Sequence, residues 1–404
     1  MSRLKSGKWP LWVTIFSAGL IVAVTVGLRQ VVGLYMPPVT KSLDIGIEPF
    51  ARAMAVANLL WGAGGIIAGG LADRFGAGKV IAVGIALMMA GYYAMYVSQT
   101  GGDLMWSGAL IGIGVAGCGL GVMVGVIGRA ATDDQRTAAL ASLGMASGLG
   151  NFIAFPYTHL LIEKFGWEGS VLVVIATLGA LLPCAILLSG KPSAPTQATK
   201  PQTLSEALNE AFGLPSYWLL MTGFFVCGFH VAFYSVHLPT FVAKQGLPSW
   251  VAVAALTAVG VANIIGTYLS GQSARFIEKR AGLSLIYLAR CGVFLALLFV
   301  PVNATTIIGL STLLGFFWLA TVPLTSALVA TFFGTNWLSL LFGFVLFSHQ
   351  LGSFVGVWLA GAVFDRTQSY DLMWIICIAL GLLAALLHWP IREKGVPRLN
   401  RETS

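Results

Sequence analysis

The sequence predicts an all-α membrane protein with twelve transmembrane helices in two pseudo-symmetric six-helix bundles. Three observations lead there. Of 404 residues, 57% are hydrophobic and 9% charged, with a mean hydropathy of +0.86, whereas soluble domains carry about 25% charged residues. The apolar runs, such as Leu11 to Leu28 and Val171 to Leu188, are long and continuous, unlike the alternating strands of a membrane barrel. The second half of the chain also repeats the first.

Dividing the chain at charged or turn-rich breaks places spans near 11–35, 50–72, 79–98, 104–128, 137–160, 169–189, 215–240, 250–272, 283–301, 304–333, 337–364 and 370–390. The first run lacks a small-residue cleavage site behind it and continues towards Tyr35, which reads as a retained helix rather than a signal peptide. Between spans six and seven, GKPSAPTQATKPQTLSEALNEAFGLPS reads as a polar linker ending in a short amphipathic stretch. The expected organisation is an N-terminal bundle over 1–189, a cytoplasmic linker over 190–214, and a C-terminal bundle with its tail over 215–404.

Topology absorbs the net charge of +8. The N-terminus, the even-numbered connections and the tail hold 16 of the 23 basic residues, and the odd-numbered connections hold Lys41, Arg52, Lys164, Lys244 and Arg366. Both termini are therefore expected in the cytoplasm, in a cell inner membrane, and nucleic acid is excluded as a partner. Only Arg29 and Arg290 remain. Arg290, about two turns into span nine, is expected to snorkel to the cytoplasmic surface.

The repeat has two close offsets. At 201 residues Gly27-Leu28-Arg29 falls on Gly228-Phe229-His230, Pro38 on Pro239, and Gly70 with Arg74-Phe75 on Gly271 with Arg275-Phe276. At 202, Leu149-Gly150-Asn151-Phe152 falls on Leu351-Gly352-Ser353-Phe354, and Ser147 on His349. Several matches on equivalent helices indicate two parallel six-helix repeats, which implies a cavity between the halves.

Arg29 is the most informative residue, because a guanidinium in the bilayer core costs roughly 2.5 to 3.5 kcal/mol on insertion scales unless something compensates it. All fifteen acids fall in loops, tails or helix ends. An anionic substrate fills the missing role, its carboxylate accepting two hydrogen bonds from Arg29. The alternative places Arg29 near the outer end of its helix, bonded to carbonyls or water. The same lack of embedded acids argues against organic cations.

His230, the repeat counterpart of Arg29, shares a helix face with Tyr234 and His237 through spacings of four and seven. His230 and Tyr234 are candidate substrate contacts. His230, His237 and His349 are the embedded groups able to carry a proton near neutral pH. His349 and Gln350 on span eleven, and Asn58, Asn151 and Asn263, complete the candidate binding set; the bland alternative for the histidines and asparagines is interhelical hydrogen bonding. The five cysteines lie singly, with no metal or redox spacing. No Walker loop, metal cluster or nucleophile-base pair is present, so neither enzyme activity nor a cofactor is expected.

GGLADRFGAGK, Gly69 to Lys79, between spans two and three, resembles the loop signature of the major facilitator superfamily. The resemblance implies the fold of that superfamily, alternating access, and a latch in which Asp73 and Arg74 pair with neighbouring helix ends to hold one conformation closed. The second-half loop GQSARFIEKR keeps Gly271 and Arg275 but has Ala274 in place of the acid. Within the superfamily the chain resembles the monocarboxylate transporters and their oxalate/formate antiporter relatives over nearly all its length. Arg29 stands where the former carry an embedded lysine, Arg136, Ala139, Ser147 and Gly150 fit their helix-five signature, and His349 stands where the latter carry a lysine. The chain departs from the pattern before span one, where only Gly7 and Trp9 survive, and in span eight, which lacks the Asp and Arg pair of animal members.

The resulting expectation is a secondary transporter of small organic anions, monocarboxylates first, functional as a monomer in a lipid bilayer, with proton symport ahead of anion exchange. The alternatives are efflux of amphiphilic or other small molecules, and a receptor that binds without transport.

Overall fold

The computed structural model describes residues 9–188, 202–334 and 337–398, and the regular structure there is helical. Gly7 and 190–201 of the expected linker, together with the side chains of Asp73 and Arg136, lie outside the described residues.

The first span, α1, is Leu11–Gln30, which tightens into a 3-10 turn over Val31–Tyr35 and resumes as Met36–Ser42 across the Pro37-Pro38 pair. It is followed by α2 (Ile47–Phe75), α3 (Ala77–Val97) and α4 (Leu104–Cys118, resuming as Leu120–Ala130 after the bend at Gly119). A helical run then covers Asp133–Gly179, but Gly166 within it has φ 68° and ψ 175°. A side chain is disfavoured at that backbone conformation, and Gly166 divides the run into α5 (133–165) and α6 (167–179, continued by Leu182–Leu187). The remaining spans are α7 (Pro215–Lys244), α8 (Ser249–Ser273), α9 (Lys279–Phe299), α10 (Ala304–Phe316 and Thr321–Phe333), α11 (Leu338–Thr367) and α12 (Asp371–His388). Among the described residues, eleven stretches are long and apolar enough to cross a membrane, one of them the 46-residue stretch Ser142–Leu187 that Gly166 divides.

The chain forms two compact units, 1–194 with 235–243, and 195–234 with 244–404. The division cuts α7 after Tyr234, so that its last turns belong with unit 1, where Thr240 donates to the Met36 sulfur at 3.2 Å.

Glycines decide how closely the helices of each unit approach. In unit 1 a Cβ at Gly27 would come within 2.7 Å of the Gly150 carbonyl oxygen, and one at Gly150 would overlap the Ala23 carbonyl, so α1 and α5 cross with their backbones in contact. Unit 2 has the same crossing one repeat later: Gly228 sits on the His349 carbonyl and Gly352 on that of Phe225, joining α7 to α11. The pairing of Gly112 with Ala57 between α4 and α2 likewise recurs as Gly315 with Val259 between α10 and α8. Such backbone contact gains dispersion energy that lipid cannot compete for. Large side chains including Trp12, Ile67, Trp106, Leu285 and Leu386 stand exposed, a surface suited to acyl chains rather than water.

The amphipathic end of the linker is a helix, Leu204–Phe212, closed by a reciprocal capping box in which the Thr203 amide donates to Glu206 at 2.8 Å and the Glu206 amide to Thr203 Oγ1 at 3.3 Å. It docks on unit 2. Phe212 packs edge-on against Phe344 at 5.4 Å, and the Trp218 indole donates to the Phe212 carbonyl at 2.9 Å.

Candidate functional site

Unit 1 holds Arg29 in the last turn of α1, just beyond the Gly27 crossing. The side chain is half-buried and its partners are modest: Nη1 donates to Gln30 Oε1 at 3.3 Å, and the guanidinium lies 5.1 Å from the Trp61 ring centroid on α2. Among the described residues no carboxylate reaches it. A cation over an indole gains about 0.5 to 2 kcal/mol depending on desolvation, less than the roughly 2.5 to 3.5 kcal/mol cost of a mid-bilayer arginine. The charge is therefore under-compensated by protein alone.

One helical turn from Trp61, on the same flank of α2, Asn58 is 1% exposed, and neither its amide nitrogen nor its oxygen has a partner. Asn151, next to the Gly150 crossing on α5, has a buried Oδ1 that is likewise unpartnered. A buried amide with no hydrogen bond costs on the order of 1 to 3 kcal/mol. Both asparagines were candidates for interhelical bonding, and neither makes such a bond through these atoms. Nearby hydroxyls are occupied: Tyr92 donates to the Leu28 carbonyl at 2.8 Å, and Tyr35 pairs with Ser170 at 2.8 Å. Arg74, at the end of α2, is exposed, with its guanidinium 5.3 Å from the ring of its neighbour Phe75. His237 is buried among the unit 1 residues of α7.

Unit 2 separates the candidates that the helical spacing groups together. His230 is 1% exposed, with Nε2 bonded to the Cys377 carbonyl of α12 at 2.9 Å and its ring 4.8 Å from Phe294 of α9. Tyr234 pairs instead with Ser311 of α10 at 2.7 Å. Both side chains are used in interhelical contacts. Asn263 is bound to the backbone of α10, its Oδ1 accepting from the Leu319 amide at 2.9 Å. His349 is half-buried against Phe224, ring to ring at 5.2 Å, and the following Gln350 is buried.

The expectation for Arg290 is corrected. It does not snorkel; it is 0% exposed and turns into unit 2 towards the gap in α10 between Phe316 and Thr321. The gap closes just ahead of Pro323, which sits in the first turn of the resumed helix, where a missing amide is tolerated and its ring crowds the turn before it. Carbonyls within the gap find side chains on neighbouring helices. Arg290 donates to Phe317 and Trp318, and Ser270 of α8 donates to Ala320 at 2.5 Å. Arg290 Nη2 also lies 3.5 Å from the Cys227 sulfur, which is 3.3 Å from Thr321 Oγ1. Snorkelling is a rule of length, and burial here follows from acceptors that length cannot reveal. The sequence signal for the break that offers them is Pro323, inside span ten.

A second omission is Glu393. Its carboxylate accepts from the Arg280 amide at 2.8 Å and from Lys279 Nζ at 3.1 Å, placing an anion at the start of α9 where the helix dipole favours one.

Comparison with known proteins adds three findings. A family model described as Major Facilitator Superfamily matches residues 11–357. The chain is similar to monocarboxylate transporter 11 of Mus musculus, 25% identical over 97% of this chain and 88% of that protein. It is also 28% identical to the human monocarboxylate transporter 11 over 64% of this chain, a match spanning 56% of that relative's length. It is similar as well to an uncharacterized MFS-type transporter, YhjX, of Escherichia coli, at 23% identity over 85% of each chain. Among solved structures, a bacterial homologue of the human lysosomal transporter Spinster superposes with a TM-score of 0.76 at 14% identity, covering 97% of this chain and 99% of that one.

Proposed function

Because the chain belongs to the major facilitator superfamily of transporters, we propose that it carries small organic anions, monocarboxylates first, by alternating access, with proton symport ahead of anion exchange. The observation that carries this reading is Arg29: a half-buried cation whose partners are a glutamine and an indole, with no carboxylate in reach among the described residues. A substrate carboxylate supplies the missing charge and can accept two parallel hydrogen bonds from the guanidinium. The unpartnered polar atoms of Asn58 and Asn151 on the neighbouring helices suit a ligand with further oxygen atoms. The names of the mouse and human relatives support the substrate class.

Proton coupling, in this reading, runs through His349. It is half-buried, whereas His230 is held by Cys377 and His237 is fully buried. His349 and the substrate would share the burden of charge in the loaded carrier. Asp73 and Arg74 remain the proposed latch, and the positive-inside count supports cytoplasmic termini.

Uptake of labelled lactate and pyruvate into proteoliposomes, with and without an inward proton gradient, tests the proposal. Accumulation driven by the gradient is expected, with Arg29→Lys retaining part of the binding and Arg29→Ala losing it. Unchanged transport in Arg29→Ala, or transport of cations alone, overturns the reading. Gradient-independent counterflow selects exchange.

A further inference from the structure

We propose that Arg290, Cys227, Thr321 and His349 form a second anion subsite, contained within unit 2, that takes one small carboxylate. The subsite does not depend on Arg29; only the choice of a carboxylate as its occupant rests on the function proposed above.

The argument starts from donor accounting. A guanidinium offers five N–H groups. In Arg290, Nε donates to the Phe317 carbonyl at 3.1 Å, and Nη2 donates to Phe317 at 2.7 Å and Trp318 at 2.5 Å, with the Cys227 sulfur beside it at 3.5 Å. Nη1 is buried and has no partner, leaving its two N–H groups unspent. Among the described residues no carboxylate pairs with this cation, although the side chain is 0% exposed. Backbone carbonyls can absorb hydrogen bonds, but they carry no net charge. A water molecule could satisfy Nη1 and would leave the charge uncompensated too. A monoanion answers both deficits.

The surroundings fit one. Cys227 of α7 and Thr321 of α10 touch through Sγ and Oγ1 at 3.3 Å, and α11 crosses α7 at the next residue, where Gly228 sits on the His349 carbonyl. Hydroxyl, thiol and imidazole can each donate, and none brings negative charge while protonated. His349 is the half-buried member of the four. The two carbonyl contacts fix the plane of the guanidinium, so little ordering is left for the ligand to impose. One cation balances one anionic charge, and Nη1 can donate to one carboxylate oxygen while the second is left for a neutral donor of the cluster.

Thermal unfolding of the purified full-length protein in sodium acetate, against sodium chloride at equal ionic strength, tests the subsite. Acetate is expected to raise the unfolding temperature saturably, by mass action, and to do so in Arg29→Ala as in the unmodified chain. In the Arg29→Ala background, Cys227→Asp places a carboxylate beside Arg290 and should abolish the acetate shift, while Cys227→Ser in the same background retains it. Thr321→Val, which removes one donor without adding charge, should raise the half-saturating concentration by about tenfold, the loss of one charge-assisted hydrogen bond. If Cys227→Asp does not fold, Thr321→Val decides. An acetate shift that disappears in Arg29→Ala, or that survives undiminished in Cys227→Asp or Thr321→Val, overturns the subsite. A shift matched by chloride overturns the carboxylate assignment. Because the readout is acetate binding in Arg29→Ala, it separates failure of this subsite from failure of lactate and pyruvate uptake.

Discussion

The guanidinium of Arg290 grips the carbonyl oxygen of Phe317 from two of its nitrogens, Nε at 3.1 Å and Nη2 at 2.7 Å. That carbonyl lies in the break between Phe316 and Thr321, just ahead of Pro323, whose ring crowds the turn before it. Arginine and proline should therefore be coupled. Arg290→Met is expected to destabilise by about 2 to 4 kcal/mol, since it strands the carbonyls of Phe317 and Trp318 in an apolar interior. In a Pro323→Ala background, where the helix can regain its own amide donors, the same substitution should cost at least about 1 kcal/mol less. Unfolding in mild detergent for the four chains of the cycle measures this. Additive costs would remove Pro323 as the origin of the gap.

Gly27 against Gly150, and Gly228 against His349, form one crossing made twice. Gly27→Ala and Gly228→Ala each push a methyl group into a backbone carbonyl and should cost about 1 to 3 kcal/mol, the usual range for overpacking. Gly65→Ala and Gly69→Ala meet open space. Those two should be neutral or slightly stabilising, because alanine favours helix by up to about 1 kcal/mol. Thermal stability of the four variants decides. Equal losses at all four positions would show that close approach of the backbones does not set the cost.

The linker helix has a pH dependence of known sign. The Glu206 carboxyl is held below its ordinary range, first by the Thr203 backbone amide and then by the Thr203 hydroxyl. The unfolded turn has an ordinary glutamate, near pH 4.3. The cap thus contributes fully above that value and is lost as pH falls through the lower, folded value. Amide protection over 204–212, compared with Glu206→Gln at matched pH, should show an advantage at neutral pH that vanishes in acid. An advantage that persists in acid would show that the Glu206 charge does not set the cap.

The sequence carried the span pattern and the repeat because both depend on local composition and on glycine positions that a regular helix displays. Gly27, Gly150, Gly228 and Gly352 stand at matching offsets, and the same four residues make the matching crossings. Which face of α7 meets which neighbour was not legible. His230, Tyr234 and His237 share a face by periodicity, yet α7 is buried along much of its length, so one face meets different helices at successive turns. His230 therefore reaches Cys377 on α12 and Tyr234 reaches Ser311 on α10. Arg290 departs from expectation for a related reason. Counting charges locates it in the membrane, but its burial depends on carbonyls in a helix break 27 and 28 residues away along the chain.

Asn58 separates packing from binding most sharply, because its side-chain nitrogen and oxygen are both buried and both unpartnered. If Asn58 serves only the fold, it serves it badly, and Asn58→Ala should leave stability unchanged or raise it, since the cost of burying an unbonded amide is removed with the group. If its polar atoms face substrate beside Arg29, the same substitution should raise KM for carboxylate by about tenfold, the loss of one or two hydrogen bonds. The expected pair of results is an unfolding temperature no lower than that of the unmodified chain together with the weakened KM. A variant that is less stable but transports with unchanged KM would instead make Asn58 an interhelical tie and take it out of the site.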